Sequence, residues 1–134
     1  MSTEKWYESK GLKTIPNEYP NGEGPIEQPY TIHLKIKEFT CLCPEKPDQP
    51  DYADFDIEYR PGHKILESKG LKEYFTSYRN LEIFHEPATN RILRDLVACC
   101  EPEYMKITGD WFIRGGIKIK VEVEYVRNNI SRPA

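Results

Sequence analysis

No stretch of this 134-residue chain is long or apolar enough to span a bilayer, and its first residues lack the apolar run of a signal peptide. The expected location is the cytoplasm, with no membrane partner. Basic residues are not in excess. The 19 Lys and Arg stand against 22 Asp and Glu, and the resulting formal charge of −3 argues against direct nucleic-acid binding, which calls for a basic stripe. The four cysteines form no C-x-x-C pair, so neither a paired metal-ligand pattern nor a disulfide framework is expected. In a reducing compartment such thiols are catalytic, metal-binding or buried. No G-x-G-x-x-G run follows a strand, which excludes the Rossmann way of holding a dinucleotide.

What is present suffices for one compact domain, because 38% hydrophobic content supports a modest core. Residues 1–28 are rich in Pro, Gly, Asn and Glu and carry little periodicity, which predicts an extended or partly disordered arm that Trp6, Tyr7 and Tyr19 can pin to a neighbour. Residues 29–127 form the expected folded domain, and residues 128–134 a tail. Over residues 30–40, Ile32, Leu34 and Ile36 alternate with polar residues, and after a shift in phase Phe39 resumes the pattern. A second strand is expected over residues 52–60, closed by Pro61-Gly62. Leu71, Tyr74, Phe75 and Tyr78 recur at helical spacing, as do Ile92, Leu93, Leu96, Val97 and Cys100. Residues 104–113, a Gly115-Gly116 turn and the alternation Ile117, Ile119, Val121, Val123, Tyr125 spell a hairpin.

The resulting order, ββααββ, is an α+β fold: a four-stranded antiparallel sheet with two helices on one face. Both sheet edges are open, and a ring of subunits is the economical cover. Between the first two strands, Cys43-Pro44 and Pro50-Asp51 bring a thiol and a carboxylate into one loop stiffened by Pro44, Pro47 and Pro50. That pairing suits a thiolate nucleophile with a nearby group to move protons. Alone, each has a plainer reading: Cys43 as a small packed hydrophobe and Asp51 as a turn former after Pro50.

The loop over residues 39–53, Glu67-Ser68-Lys69-Gly70-Leu71-Lys72-Glu73-Tyr74, Ser77-Tyr78-Arg79-Asn80, Phe84-His85-Glu86 and Arg114-Gly115-Gly116 together resemble the NADPH-dependent 7-cyano-7-deazaguanine reductases, the nitrile reductases of queuosine biosynthesis. The resemblance runs from about Ile36 to Tyr125. It implies the tunnelling fold, in which subunits join their sheets into a barrel, here as a homo-oligomer of pentameric rings that stack into a decamer, with sites at subunit boundaries. It also implies reduction of the nitrile of 7-cyano-7-deazaguanine to a primary amine with two NADPH. Three features depart from the family's pattern. The loop from Cys43 to Asp51 is one residue longer, Gly70 stands where Ser or Ala is usual, and Glu73 stands where a large apolar residue is usual. The hexapeptide at 67–72 also occurs at 8–13, where it lacks the aromatic helical stripe and is read as incidental.

The resemblance makes Cys43 the nucleophile, Asp51 the proton donor and His85 a substrate contact able to relay protons. An unshifted thiol of pKa about 8.5 is only ~3% thiolate at neutral pH, so such a nucleophile requires activation. Cys41 is assigned to packing, and Cys99 and Cys100 to the core. Glu86 offers two acceptors to the ring N–H and exocyclic amine of a guanine-like edge, although an acid in a helix's first turn also favours the dipole. Leu66, Glu67 and Ser68 are implied as further substrate contacts. Ser68, Lys69, Arg114 and Gly115 are implied as NADPH contacts, joined by Lys72, which shares a helix face with Lys69. The plainer readings are a solvated lysine face and a tight glycine hairpin. Two other chemistries compete. One is a zinc site from His33, Cys41, Cys43 and His85, as in the related GTP cyclohydrolases. The other is the related amidinotransferase acting on nitrile-bearing tRNA, which generally lacks the Glu-Ser-Lys-x-Leu-Lys run.

Overall fold

The structure, a computed structural model, describes residues 5–20 and 28–128. Nine elements follow in order: α1 (Trp6–Ser9), β1 (Thr14–Pro16), β2 (Ile32–Leu42), β3 (Pro50–Arg60), β4 (Lys64–Leu66), α2 (Ser68–Thr76), α3 (His85–Cys100), β5 (Tyr104–Arg114) and β6 (Ile117–Val126). The four long strands make one antiparallel sheet in the order β2-β3-β5-β6. Its outer strands are β2 and β6; among the described residues β6 pairs with no further strand, and β2 does so only at Leu42, which bridges to Glu82.

One face of this sheet is the core. Phe39 of β2, Phe55 of β3 and Trp111 of β5 meet edge to face, with centroids 4.9 Å apart for Phe39 and Phe55 and 5.8 Å for Phe55 and Trp111. α2 and the turn after it cover them through Phe75 and Tyr78, and α3 through Thr89, whose hydroxyl accepts the Trp111 indole N–H at 3.3 Å. Ile92 and Leu96 are fully buried beneath α3, one helical turn apart. The opposite face carries cross-strand charge pairs: Lys35–Asp56 at 2.8 Å, Lys106–Glu122 at 3.0 Å and Lys118–Asp110 at 2.8 Å. Exposed pairs of this kind add little stability, but they keep the face wet.

The phase shift before Phe39 is a β-bulge. Register slips between Ile36 and Phe39, Glu38 takes φ of 56°, and its N–H donates to Asp54 Oδ1 at 3.0 Å. Gly115 and Gly116, at φ of 55° and 79°, make the β5–β6 turn, a backbone state that glycine adopts without strain.

The arm expectation is corrected over residues 5–20. α1 buries Tyr7 and sets Trp6 edge to face against Tyr74 and Tyr78, Leu12 is 4% exposed, and β1 pairs with β4 as a separate two-stranded ribbon. Tyr19 is exposed. Buried apolar contacts and a ribbon outweigh the segment's polar composition, and three-residue strands are too short to show a period. Residues 1–4 and 21–27 of the expected arm and 129–134 of the expected tail lie outside the described residues. Among the described residues, no helix is long and apolar enough to cross a membrane.

Candidate active site

β2 ends at Leu42, which is clamped from outside the sheet. Its N–H donates to the Leu81 carbonyl at 2.9 Å, and its carbonyl accepts from Ile83 N–H at 3.0 Å. This parallel bridge brings the start of α3 beside the end of β2. The connection to β3 is then folded by its own backbone. Lys46 N–H donates to the Cys43 carbonyl, Gln49 N–H to the Lys46 carbonyl, and Cys43 N–H to the Gln49 carbonyl. Two successive turns thus close the loop, and β3 starts in register, with Asp51 opposite Cys41. Cys43 lies two residues beyond Cys41 and is half-buried.

Asp51 is 6% exposed, so its carboxylate needs partners. His85 Nε2 stands 3.3 Å from Asp51 Oδ2, and Arg114 Nε stands 3.6 Å from Oδ1. Arg114 also donates to the Pro50 carbonyl. The first residue of α3, the end of β5 and the start of β3 thus converge on one carboxylate. His85 lies on Trp111 with centroids 4.2 Å apart and planes 9° apart. Thr89 fixes the indole, since its hydroxyl accepts the Trp111 N–H, and the same hydroxyl donates to the His85 backbone carbonyl at 2.9 Å.

Cys41 is fully buried, its thiol directed at the Ile83 carbonyl at 3.7 Å. Burial pushes that thiol up to about 12, with the neighbouring Asp51 and Cys43 charges adding to the effect. It is a packing residue. Glu86, beside His85, is exposed, and among the described residues its carboxylate holds no hydrogen bond or ion pair. It is available to a ligand.

The remaining sequence-derived residues stand elsewhere. Leu66 is buried in β4, and its N–H donates to the Tyr59 hydroxyl. Glu67 caps α2: Oε2 accepts Lys69 N–H at 2.8 Å and Oε1 accepts Gly70 N–H at 2.7 Å. These two bonds, chiefly, hold its carboxyl below the usual range. Ser68, Lys69 and Lys72 are exposed on α2. A cleft of ≈ 470 Å³ runs between α2 and the β2 edge, with Ser68, Lys72 and Arg79 on its polar side and Leu34, Ile36 and Phe75 on its apolar side. A second, of ≈ 700 Å³, rounds the end of β2 between Thr40, Pro50, Tyr52 and Phe112. Neither is lined by Cys43, Asp51 or His85.

The chain therefore holds two groups of candidate residues. Cys43, Asp51, His85, Glu86 and Arg114 gather at the β2–β3 loop, while Leu66, Glu67, Ser68, Lys69 and Lys72 gather at the start of α2. No hydrogen bond or ion pair among the described residues joins them. α2 and its following turn separate them; nine helical residues alone span about 13 Å. Arg114, expected among the cofactor contacts, stands on Asp51 in this chain. Gly115 sits at the hairpin tip, where an added Cβ would meet nothing within 4 Å. Sequence reasoning missed Trp111 as the shelf under His85, because its place after Ile107 and Gly109 on the inward face reads only as core. The zinc alternative has no converging donor set: His33 pairs across to Glu58 near the start of β2, and no three His, Cys, Asp or Glu side chains cluster suitably among the described residues.

Comparison with known proteins gives the family. The family model for the QueF-like protein matches residues 50–130. The NADPH-dependent 7-cyano-7-deazaguanine reductase of Syntrophus aciditrophicus is 46% identical over 125 residues, covering 93% of this chain and 84% of the relative. The enzyme of that name from Halorhodospira halophila is 49% identical, with 93% and 98% covered. Among solved structures, the apo crystal structure of the archaeosine synthase QueF-Like aligns with TM-score 0.65 and 28% identity over 72% of this chain and 94% of that one. A four-stranded antiparallel sheet backed by α2 and α3, with this extent of likeness, places the chain in the QueF-like protein family.

Proposed function

We propose that this protein is an NADPH-dependent oxidoreductase that reduces the nitrile of 7-cyano-7-deazaguanine to the amine of 7-aminomethyl-7-deazaguanine, a cytoplasmic step in queuosine tRNA-modification biosynthesis. The observation that carries the reading is the buried Asp51 carboxylate, bridged to His85 at the end of the loop bearing Cys43. Cys43 adds its sulfur to the nitrile carbon as the proton passes to the nitrile nitrogen, giving a thioimide. Asp51 carries that proton, and His85, held flat by Trp111, receives or returns it. Glu86 accepts the ring N–H and exocyclic amine of the base, with Leu66, Glu67 and Ser68 as further substrate contacts.

NADPH, when bound, supplies one hydride to each of the two reduction steps. The cleft beside α2 suits an elongated, anionic ligand, with an apolar floor and the cations Lys72 and Arg79 at its rim. Ser68 and Lys72, with Lys69 beside them on α2, would hold the cofactor there, with Arg114 and Gly115 reaching it from the hairpin of a second copy. After the first reduction the carbon–sulfur bond breaks, Cys43 leaves as thiolate, and the second reduction yields the amine.

Two separated groups in one chain are reconciled if a second copy supplies the missing half. The outer strands β2 and β6, and the exposed Tyr52, Phe112, Ile113 and Ile117 near Asp51, suit such an assembly. The proposed active unit is a ring, with pentamers stacked into a decamer. The amidinotransferase reading has the solved neighbour at 28% identity in its favour; the 44–49% identity to curated reductases favours reduction. Mixing the protein with 7-cyano-7-deazaguanine and NADPH while following nicotinamide absorbance tests the proposal. Two NADPH should be consumed per amine formed, and no consumption would refute it.

A further inference from the structure

The hexapeptide Glu-Ser-Lys-Gly-Leu-Lys occurs at 8–13 and again at 67–72, and the fold lays one copy against the other. A Cβ on Gly70 would fall 2.5 Å from the Gly11 carbonyl oxygen and 3.2 Å from Lys13 N, contacts with backbone that cannot swing away. A Cβ on Gly11 would in turn meet Glu73, and Gly11 has φ of 91°. Lys13 continues the seam: its carbonyl accepts Glu67 N–H at 3.0 Å, and its ammonium stands 4.0 Å from Glu67 Oε1. One residue on, Thr14 pairs with Leu66.

Residues 11–14 thus hold the backbone of residues 66–70, the stretch that carries the proposed cofactor contacts Ser68 and Lys69. Gly70 and Glu73, which the resemblance marks as departures in this motif, both stand where a side chain added at the seam would meet them or Gly11. From this we infer that the N-terminal hexapeptide is a positioning segment for the first turn of α2, and that Gly70 is fitted to it, so that NADPH affinity depends on the arm. Ser68 and Lys69 touch the cofactor; Gly11, Lys13 and Gly70 act through them. The inference rests on the reductase reading.

The coupling must be reciprocal: if the arm sets the cofactor site, bound cofactor steadies the arm. Two measurements test this, one needing no substitution. In the wild-type protein, saturating NADP⁺ should slow amide hydrogen exchange across residues 8–16. In Gly70→Ala, the KM for NADPH should rise about tenfold, as expected when contacts are displaced by a fraction of an ångström to an ångström, with kcat within a few-fold of wild type. The Cys43 adduct, which needs no cofactor, should still form to completion at saturating nitrile. Unchanged exchange in the arm would overturn the inference. So would a folded Gly70→Ala protein with wild-type KM, or one in which no Cys43 adduct forms even at saturating nitrile. Wild-type protein that binds no NADP⁺ would refute the reductase reading itself.

Discussion

The imidazole of His85 lies parallel to the indole of Trp111, 4.2 Å between centroids, while its Nε2 stands 3.3 Å from Asp51 Oδ2. The indole thereby fixes the plane in which a proton can pass between imidazole and carboxylate. Trp111→Phe keeps an aromatic ring but loses the bond to Thr89 and some volume. It should cost about 1–3 kcal/mol of stability in denaturant unfolding and slow Cys43 adduct formation. An unchanged adduct rate in the folded variant would reduce Trp111 to a packing role.

Arg114 separates two accounts. As a cofactor contact only, Arg114→Gln would raise the KM for NADPH and leave adduct formation untouched. Its position 3.6 Å from Asp51 predicts that adduct formation slows as well, measured with nitrile alone. A variant affected only in cofactor affinity would show that Arg114 leaves Asp51 before the covalent step.

Glu86 is exposed and its carboxylate holds no partner among the described residues, so its worth lies with the ligand. Glu86→Gln places a donor against a donor, and calorimetry should record a loss of about 1.5–3 kcal/mol in nitrile-substrate binding, with the melting temperature nearly unchanged. Equal affinity would reject the assignment.

The thiols differ in reach. Burial pushes Cys41 and Cys100 up to about 12 and raises Cys99. A raised thiol stays protonated until pH approaches its own pKa, so at pH 8 a thiol at about 12 is only ~0.01% thiolate. Iodoacetamide at pH 8 should therefore modify Cys43 first, and peptide mapping checks the order. Faster labelling at Cys41 would contradict the burial described.

Glu67 gives a pH dependence with a definite sign. Its carboxyl lies below the usual range because it accepts two α2 amides, so that stabilisation is present above the unfolded-state pKa and fades as pH falls through the folded one. Amides 69 and 70 should exchange faster in acid than the rest of α2 after correction for intrinsic rates. Uniform protection would contradict the cap.

Much of this fold was legible because its signals are local. The phase slip at Phe39 is the bulge at Glu38, and the alternation from Ile117 is β6. The ribbon of β1 and β4 left no period to read. The duplicate hexapeptide looked incidental because its partner lies 59 residues away and the contact is made by glycines, which signal a close approach only once the backbone is known. Asp51 and His85 could be named from a resemblance, but their 3.3 Å approach depends on the Leu42 clamp to Leu81 and Ile83, a nonlocal backbone contact that no motif encodes.

The central claim is that Cys43 is the nucleophile. Intact-mass analysis after incubation with 7-cyano-7-deazaguanine, without NADPH, tests it most directly. The account predicts one species heavier by the full mass of the nitrile, mapped to Cys43 and absent from Cys43→Ala. An adduct that persists in that variant, or maps to Cys41, would contradict it.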